Sequence, residues 1–443
     1  MRIRTLALAA TALFATQPLF QSAMAADLMD VYREALARDP VFASARASYE
    51  AAREALPQAR AGILPTINLA ASANRNHRET DGIPKMDYNT NGYTLSLSQP
   101  LFRMQNFIIV DQASMQVRQS EAVFYDAQQN LIARSAQAYF DVLLAEDNVM
   151  LSAAQKIAIG EQLAQAKRNF EVGTATIVDT YEAQAKYDLA VAKEISDQND
   201  LEIKKRALQQ LIGKMPDRLA PLKDKLALPL PQPSDMEQWV SASDKDSPVI
   251  AQFKAAYDIA AKEVDRSRAG HYPTLDLVGS YADNNNPTVT LSGAIGPSLG
   301  TKLTQVGLQL SIPLYQGGLT QSKVRQALAN KNKAEQDLEN TRRTVAQSVR
   351  QSYLGVTNGA AQVKAFEAAL VSNQSSLDST VLGREVGVRT SVDVLNAQQQ
   401  LFQAQRDLQS ARYSAVMSQL KLKSATGRLQ EEDLAEVNRL LVK

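Results

Sequence analysis

Two aspartates occupy matching places in this chain. Asp179 closes Thr176-Ile177-Val178-Asp179, and Asp393 closes Thr390-Ser391-Val392-Asp393. A threonine followed three residues later by an acid is a capping box at a helix start. An acid there also suits the positive end of the helix dipole. Each box follows a glycine turn, Val172-Gly173-Thr174 or Val386-Gly387-Val388, and glycine accepts the left-handed conformation that ends a helix. Arg384 and Arg389 flank the second turn. Other chemistry is sparse. The chain has no cysteine, which removes disulfides, thiolate metal sites and a lipid-bearing cysteine. His77 and His271 stand far apart, with no partner at ligand spacing. Gly317-Gly318 lacks the following Lys and Ser/Thr of a phosphate loop and reads as a relaxed strand-to-helix junction. Trp239 reads as a packing anchor. No acid pair or Ser/His combination has a spacing that catalysis demands, so the expectation is neither an enzyme nor a cofactor protein.

The elements that position these residues occur twice. Asp39-Pro40-Val41 opens a stretch ending Arg60-Ala61-Gly62-Ile63-Leu64-Pro65-Thr66. Ser247-Pro248-Val249 opens one ending Arg268-Ala269-Gly270-His271-Tyr272-Pro273-Thr274, displaced by 208 positions (Pro40 to Pro248, Pro65 to Pro273). Ser98-Gln99-Pro100-Leu101-Phe102 matches Ser311-Ile312-Pro313-Leu314-Tyr315 at an offset of 213, and Gly173 and Asp179 match Gly387 and Asp393 at 214. A repeat this long means that one structural unit was duplicated.

Arg2 and Arg4 precede an apolar run from Leu6 to Phe14, and Ala23-Met24-Ala25 offers small residues around a cleavage point. This is the pattern of a secretory signal peptide over residues 1–25, cut between Ala25 and Ala26. No later stretch is apolar for the ~18 residues a membrane helix needs. The net charge of +1 gives nucleic acid no footprint. An exported chain of this kind is either soluble or an outer-membrane barrel.

Each copy reads as helix, strand, loop, strand, very long helix, turn, long helix. The first copy covers residues 26–213, with a helical stretch from Leu28 to Gly62 kinked at Pro57. Its strands are expected at about 66–73 and 93–99, joined by a polar loop, and its long helices at 102–170 and 175–213. A proline-rich linker follows at 214–246. The second copy covers 247–427, with strands at about 274–281 and 303–312 and long helices at 320–386 and 390–427. A short helix at 428–443 ends the chain. Ile67, Leu69 and Ala71 alternate with Asn68, Ala70 and Ser72, and Val306, Leu308 and Leu310 alternate with Gly307, Gln309 and Ser311. Such period-two alternation fits a half-buried soluble sheet or a membrane barrel. Pro100 and Pro313 are expected to close their strands. In the last long helix Val394, Leu401, Leu408, Ala415 and Leu422 recur every seven residues, the spacing of a coiled-coil seam.

Four strands per chain cannot close a barrel, and open edges are forbidden in lipid. A membrane reading therefore requires several chains. Two would give eight strands and a plugged lumen; three would give twelve and a water-filled one. The fold class is then mixed: a coiled-coil helical tunnel joined to a membrane β-barrel. A soluble periplasmic coiled-coil scaffold or adaptor is the rival.

The signal peptide, the duplication, Val172-Gly173-Thr174, the run from Val386 to Ala397 and the ending Lys421-Leu422-Lys423-Ser424-Ala425-Thr426-Gly427 resemble the TolC family of outer-membrane channel proteins over essentially the whole mature chain. The resemblance implies a homotrimer with a twelve-stranded barrel and a helical tunnel through the periplasm. It also implies a tip that meets a periplasmic adaptor bound to an inner-membrane ABC or RND pump. The two glycine turns would be the docking tip. Asp393 would form a ring of carboxylates at the pore constriction, with Asp179 nearby. Arg389 would latch neighbouring tip helices to an acid at the position of Asp179. Two residues depart from the enteric pattern: Asn396 replaces a second aspartate, which lowers the charge of the ring, and Arg384 replaces a tyrosine of the latch. The copies also disagree at this end, where Val388, Arg389, Ser391 and Val394 face Thr174, Ala175, Ile177 and Thr180. The gate is placed there.

Overall fold

The structure, a computed structural model, describes residues 25–442 apart from 217, 224–225 and 290–294. The expected signal peptide lies outside the described residues except for Ala25, and Ala26 is tied to the body of the protein by a bond from its amide to the Arg218 carbonyl (2.8 Å).

Copy one runs α1 (Leu28–Arg38), α2 (Pro40–Arg53), α3 (Ala55–Ala61), β1 (Thr66–Thr80), β2 (Ile83–Phe102), α4 (Met104–Glu171) and α5 (Ile177–Ile212). Helix α6 (Met236–Asp246) leads into copy two: α7 (Pro248–Arg268), β3 (Thr274–Val289), β4 (Ile295–Ser311), α8 (Leu319–Glu385) and α9 (Ser391–Ala425). Helix α10 (Glu431–Asn438) follows.

The strands form one antiparallel sheet in the order β1-β2-β3-β4. Pairings such as Ile67 with Leu97, Leu97 with Gly279 and Leu277 with Leu308 set the faces of the sheet. Alternation across this ladder puts Ile67, Leu69, Leu95, Leu97, Leu275, Leu277, Leu308 and Leu310 on one face. Asn68, Ser72, Ser96, Ser98, Ser280, Gln309 and Ser311 occupy the other. Tyr93 and Tyr281 pack together at one margin of the apolar face, their ring centroids 6.1 Å apart, and mark it as an aromatic girdle would. Among the described residues of the protomer, β1 and β4 each have one strand neighbour.

Several expectations are corrected. The polar loops expected at 74–92 and within 282–302 are largely strand, with a turn at Asp81-Gly82 in the first hairpin. Polar cross-strand pairs extend this ladder beyond the apolar belt. His77 Nδ1 lies 2.8 Å from Asp87 Oδ1, and Asn76 donates to Thr90 Oγ1 at 3.1 Å. Period-two hydrophobicity vanishes there although the pairing continues. Strand β2 also runs through Pro100 to Phe102, because a register shift between those residues takes proline out of the regular ladder. The first helical stretch breaks at Asp39 and Glu54 rather than kinking at Pro57. Asp39 caps α2 by accepting from the Phe42 amide at 3.1 Å. Pro57 falls in the first turn of α3, where its missing N–H costs no bond. The last part of the linker is helix α6, and Trp239 anchors it by donating to the Pro233 carbonyl at 2.8 Å.

Helices α4 and α8, of 68 and 67 residues, each extend about 100 Å. Among the described residues no helix is long and apolar enough to cross a membrane. Helix α4 packs on α5, α7 and α9, and α8 packs on α7 and α9. The main core lies mid-length. There Leu131, Tyr139 and Phe140 of α4 meet α1, the end of α5, α9 and α10. Tyr139 donates to the Ala220 carbonyl at 2.7 Å and so holds the returning linker. On α9 the seven-residue series Val394, Leu401, Leu408, Ala415 and Leu422 is buried throughout. At the sheet end, Arg103, just before α4, grips Asp276 of β3 through two bonds of 2.8 and 2.7 Å. This bidentate pair fixes the helices to the sheet.

Candidate functional site

The far ends of the α4–α5 and α8–α9 hairpins are built alike. After α4, the Gly173 amide donates to the Phe170 carbonyl (3.0 Å) and the Thr174 amide to the Asn169 carbonyl (2.8 Å). After α8, Gly387 donates to Arg384 (3.0 Å) and Val388 to Gly383 (2.9 Å). This is the Schellman pattern, with the left-handed residue at the glycine. Gly173 has φ 76° and Gly387 φ 80°. A side chain at either position would be strained, which explains the residue type without further appeal.

The next helix starts on its capping box. The Thr176 amide donates to Asp179 Oδ2 at 2.9 Å, and the Asp179 amide returns to Thr176 Oγ1 at 3.2 Å. In copy two the corresponding distances are 2.9 and 3.1 Å. Both aspartates therefore hold helix starts in the protomer, and capping does not distinguish them. The bonds from the Thr390 amide and hydroxyl, with the nearby Arg389 charge, hold the Asp393 carboxyl below the ordinary carboxylate range. A lowered native pKa means that this stabilisation is present above the unfolded value and lost as pH falls through the native one. Asp393 is thus ionised throughout the neutral range.

The surroundings separate the two turns. Arg384 is half-buried, and its Nη1 donates to Gln162 Oε1 at 3.0 Å and Gln165 Oε1 at 3.3 Å. One guanidinium thereby ties the end of α8 to α4 of the other hairpin. Arg389 is exposed and forms no ion pair within the protomer among the described residues, so Asp179 is not its partner there. Its stem lies on bare backbone: a Cβ placed on Gly383 would come 2.7 Å from Arg389 Cγ. Copy one has Asn169 and Ala175 at these two places. Asn396 is exposed three residues beyond Asp393. The turns also present apolar surface, with Val172, Val386 and Val388 at 73%, 67% and 76% exposure. The roles of Gly383, Gln162 and Gln165 were not read from the sequence. A glycine inside a helical pattern costs about 1 kcal/mol relative to alanine and so hints at a packing reason, the one signal by which Gly383 was open to detection. The glutamines carried none.

A four-stranded antiparallel sheet joined to two helical hairpins of this length finds its counterpart among known proteins. The sequence profile described as "Outer membrane efflux protein" matches residues 31–214 and 239–428, one block in each copy. The chain belongs to the outer membrane efflux protein family. It is 34% identical to the outer membrane protein TolC of Vibrio cholerae over 415 residues, covering 94% of this chain and 93% of that one. It is 32% identical to the alkaline protease secretion protein AprF of Pseudomonas aeruginosa, over 94% and 87% of the two chains. The CmeC outer membrane channel of Campylobacter jejuni superposes with a TM-score of 0.77 at 18% identity, covering 94% of this chain and 90% of that one. Membership of this family places the protein in the outer membrane, in a transport system.

Proposed function

We propose that three copies of this chain close one twelve-stranded barrel in the outer membrane, and that their α4–α5 and α8–α9 hairpins continue it as a tunnel through the periplasm. The observation that carries this reading is a four-stranded sheet with one apolar face, one polar face and, among the described residues, no further strand beyond β1 or β4. An open edge in lipid leaves backbone groups unpaired at several kcal/mol each, so only closure with further copies makes the apolar face usable. The duct is passive. Its tip, with exposed valines on both turns, is the surface for the helical hairpins of a periplasmic adaptor, which joins it to an inner-membrane ABC or RND pump. The pump then selects the cargo. The name of AprF speaks of protease secretion and that of the family of efflux; we read the duct as one that serves type I protein secretion, drug efflux or both.

Membrane fractionation tests the reading. The protein should sediment with outer membranes, resist carbonate extraction and run as a trimer in mild detergent. Recovery as a soluble periplasmic protein would sink it in favour of the coiled-coil scaffold.

Within this reading Arg389 closes the tip by reaching Asp179 of the partner subunit. Gly383 then acts as the clearance that lets its side chain lie flat. We predict that Gly383→Ala and Arg389→Glu both raise resting conductance in planar bilayers. A wild-type level in Arg389→Glu removes the latch. A wild-type level in Gly383→Ala alone removes only the clearance.

A further inference from the structure

We propose that the internal repeat continues across the subunit boundary, so that β4 of one copy pairs with β1 of the next in the register that β2 and β3 already use. Leu310 then stands opposite Ala71 of the partner subunit, and Gln309 opposite the partner's Ser72. The proposal rests on the three-chain reading above and adds the residue-level interface.

The two hairpins obey the repeat in detail. Thr66 pairs with Ser98 in copy one and Thr274 with Ser311 in copy two, the same pairing after the strand offsets of 208 and 213. The β2–β3 junction joins copy one to copy two, with Ser96 opposite Ser280 and Leu97 opposite Gly279. A β4–β1 junction between subunits joins copy two to the next copy one. The same offsets carry Ser96 to Gln309, Ser280 to Ser72, Leu97 to Leu310 and Gly279 to Ala71.

Two physical checks support this register. First, it sets Leu308 and Leu310 beside the partner's Ala73 and Ala71 on the apolar face, and Gln309 beside the partner's Ser72 on the polar one. A slip of one residue would turn one subunit's apolar face to the other's polar face. Second, it makes the stagger even. The observed ladder leads from Thr66 to Ser98, then Val278, then Gly307, and the proposed pairing leads on to the partner's Asn74. Val278 is the repeat counterpart of Ala70, so each half of the circuit advances four residues. A slip of two would preserve the faces but make the two steps unequal, against the common tilt that a closed barrel imposes on its strands.

The helical layer independently marks the same boundary. Tyr181 and Ile203 of α5 are 67% and 56% exposed, whereas their repeat counterparts on α9, Leu395 and Met417, are 3% and 4% exposed. Leu395 is covered by residues of copy one, including Ile159 and Leu163 of α4. Helix α5 lacks that cover within the protomer, and the repeat assigns it to α8 of the neighbouring subunit.

The absence of cysteine makes the test direct. Ser72→Cys is combined in turn with Gln309→Cys, Gly307→Cys and Ser311→Cys, and outer membranes are oxidised mildly. Directly opposed residues lie within disulfide range, whereas diagonal neighbours are about 7–8 Å apart. The Ser72/Gln309 pair should give a reducible covalent trimer at least ~tenfold faster than either shifted pair. The Ala71→Cys/Leu310→Cys pair on the outer face should repeat this if the first pair assembles poorly. Faster linkage of a shifted pair overturns the register and leaves the trimer standing. No linkage in any pair, in membranes that contain the protein, overturns the shared barrel itself.

Discussion

Replacing Arg384 by glutamine should open the resting channel. The guanidinium reaches Gln162 and Gln165 from the other hairpin, so it opposes any movement that separates α8 from α4 at the tip. A hydrogen bond to a charged group contributes about 1.5–3 kcal/mol in general. Half-exposure and the longer second bond reduce the pair to about 1–2 kcal/mol per protomer. If three protomers open together, the losses add to roughly 3–6 kcal/mol, a change of about 10² to 10⁴ in the open-to-closed ratio. We predict a large rise in single-channel resting conductance in lipid bilayers. Arg384→Lys should restore part of the closure, because both glutamines accept from one nitrogen of Arg384 and an ammonium also has donors for two, but it sits on a shorter, more flexible stem that holds them less firmly. Gln162→Glu should close the tip further by turning a neutral acceptor into an ion. Wild-type conductance in Arg384→Gln would show that the bridge restrains nothing that moves.

This bridge was the least legible part of the chain. Arg384 could be singled out because it interrupts a family pattern, but its partners lie on a helix of the other hairpin and are two ordinary glutamines. No local spacing links them. The caps were legible for the opposite reason: Thr-x-x-Asp after a glycine turn names both partners within four residues. The sheet falls between these cases. Where one face meets lipid, alternation of Ile67, Leu69, Leu95 and Leu97 announces strands. Beyond the tyrosine girdle both faces are polar, so His77, Asp87, Asn76 and Thr90 read as loop although the backbone ladder continues through them. Hydrophobic period reports the environment of a strand, and pairing can persist where the environment stops alternating.

The disagreement between the copies now has a physical form. Both turns share the Schellman geometry and the capping box, so the backbone keeps the repeat. The side chains break it: Gly383, Arg384 and Arg389 stand where copy one has Asn169, Phe170 and Ala175. The cationic side chains of this set all lie on the second turn. If this end is the gate, such inequality serves it, because side-chain restraints anchored on the second turn can be broken without disturbing the caps that hold either hairpin.

That inequality makes the two aspartates the sharpest test of the pore. Asp179→Asn and Asp393→Asn remove equivalent capping carboxylates, with almost identical distances to Thr176 and Thr390. Any loss of helix stability should therefore be common to both variants, and a difference between them reports what the carboxylate does beyond its own helix. If Asp393 of three subunits faces one constriction, its charges attract cations and repel anions there, as rings of carboxylates do in channels. Removing them should lower the cation-to-anion permeability ratio roughly three- to tenfold at low salt, with the difference shrinking as screening increases. Asp179→Asn should move the ratio less. Asn396→Asp, which adds an acid three residues further along α9, should raise it and strengthen block by multivalent cations. Because the Thr390 bonds hold the Asp393 carboxyl below its ordinary range, the wild-type preference should persist at mildly acidic pH. Reversal potentials in a salt gradient measure all four. Equal shifts in Asp179→Asn and Asp393→Asn would reduce both aspartates to helix caps and move the selective ring elsewhere in the tunnel.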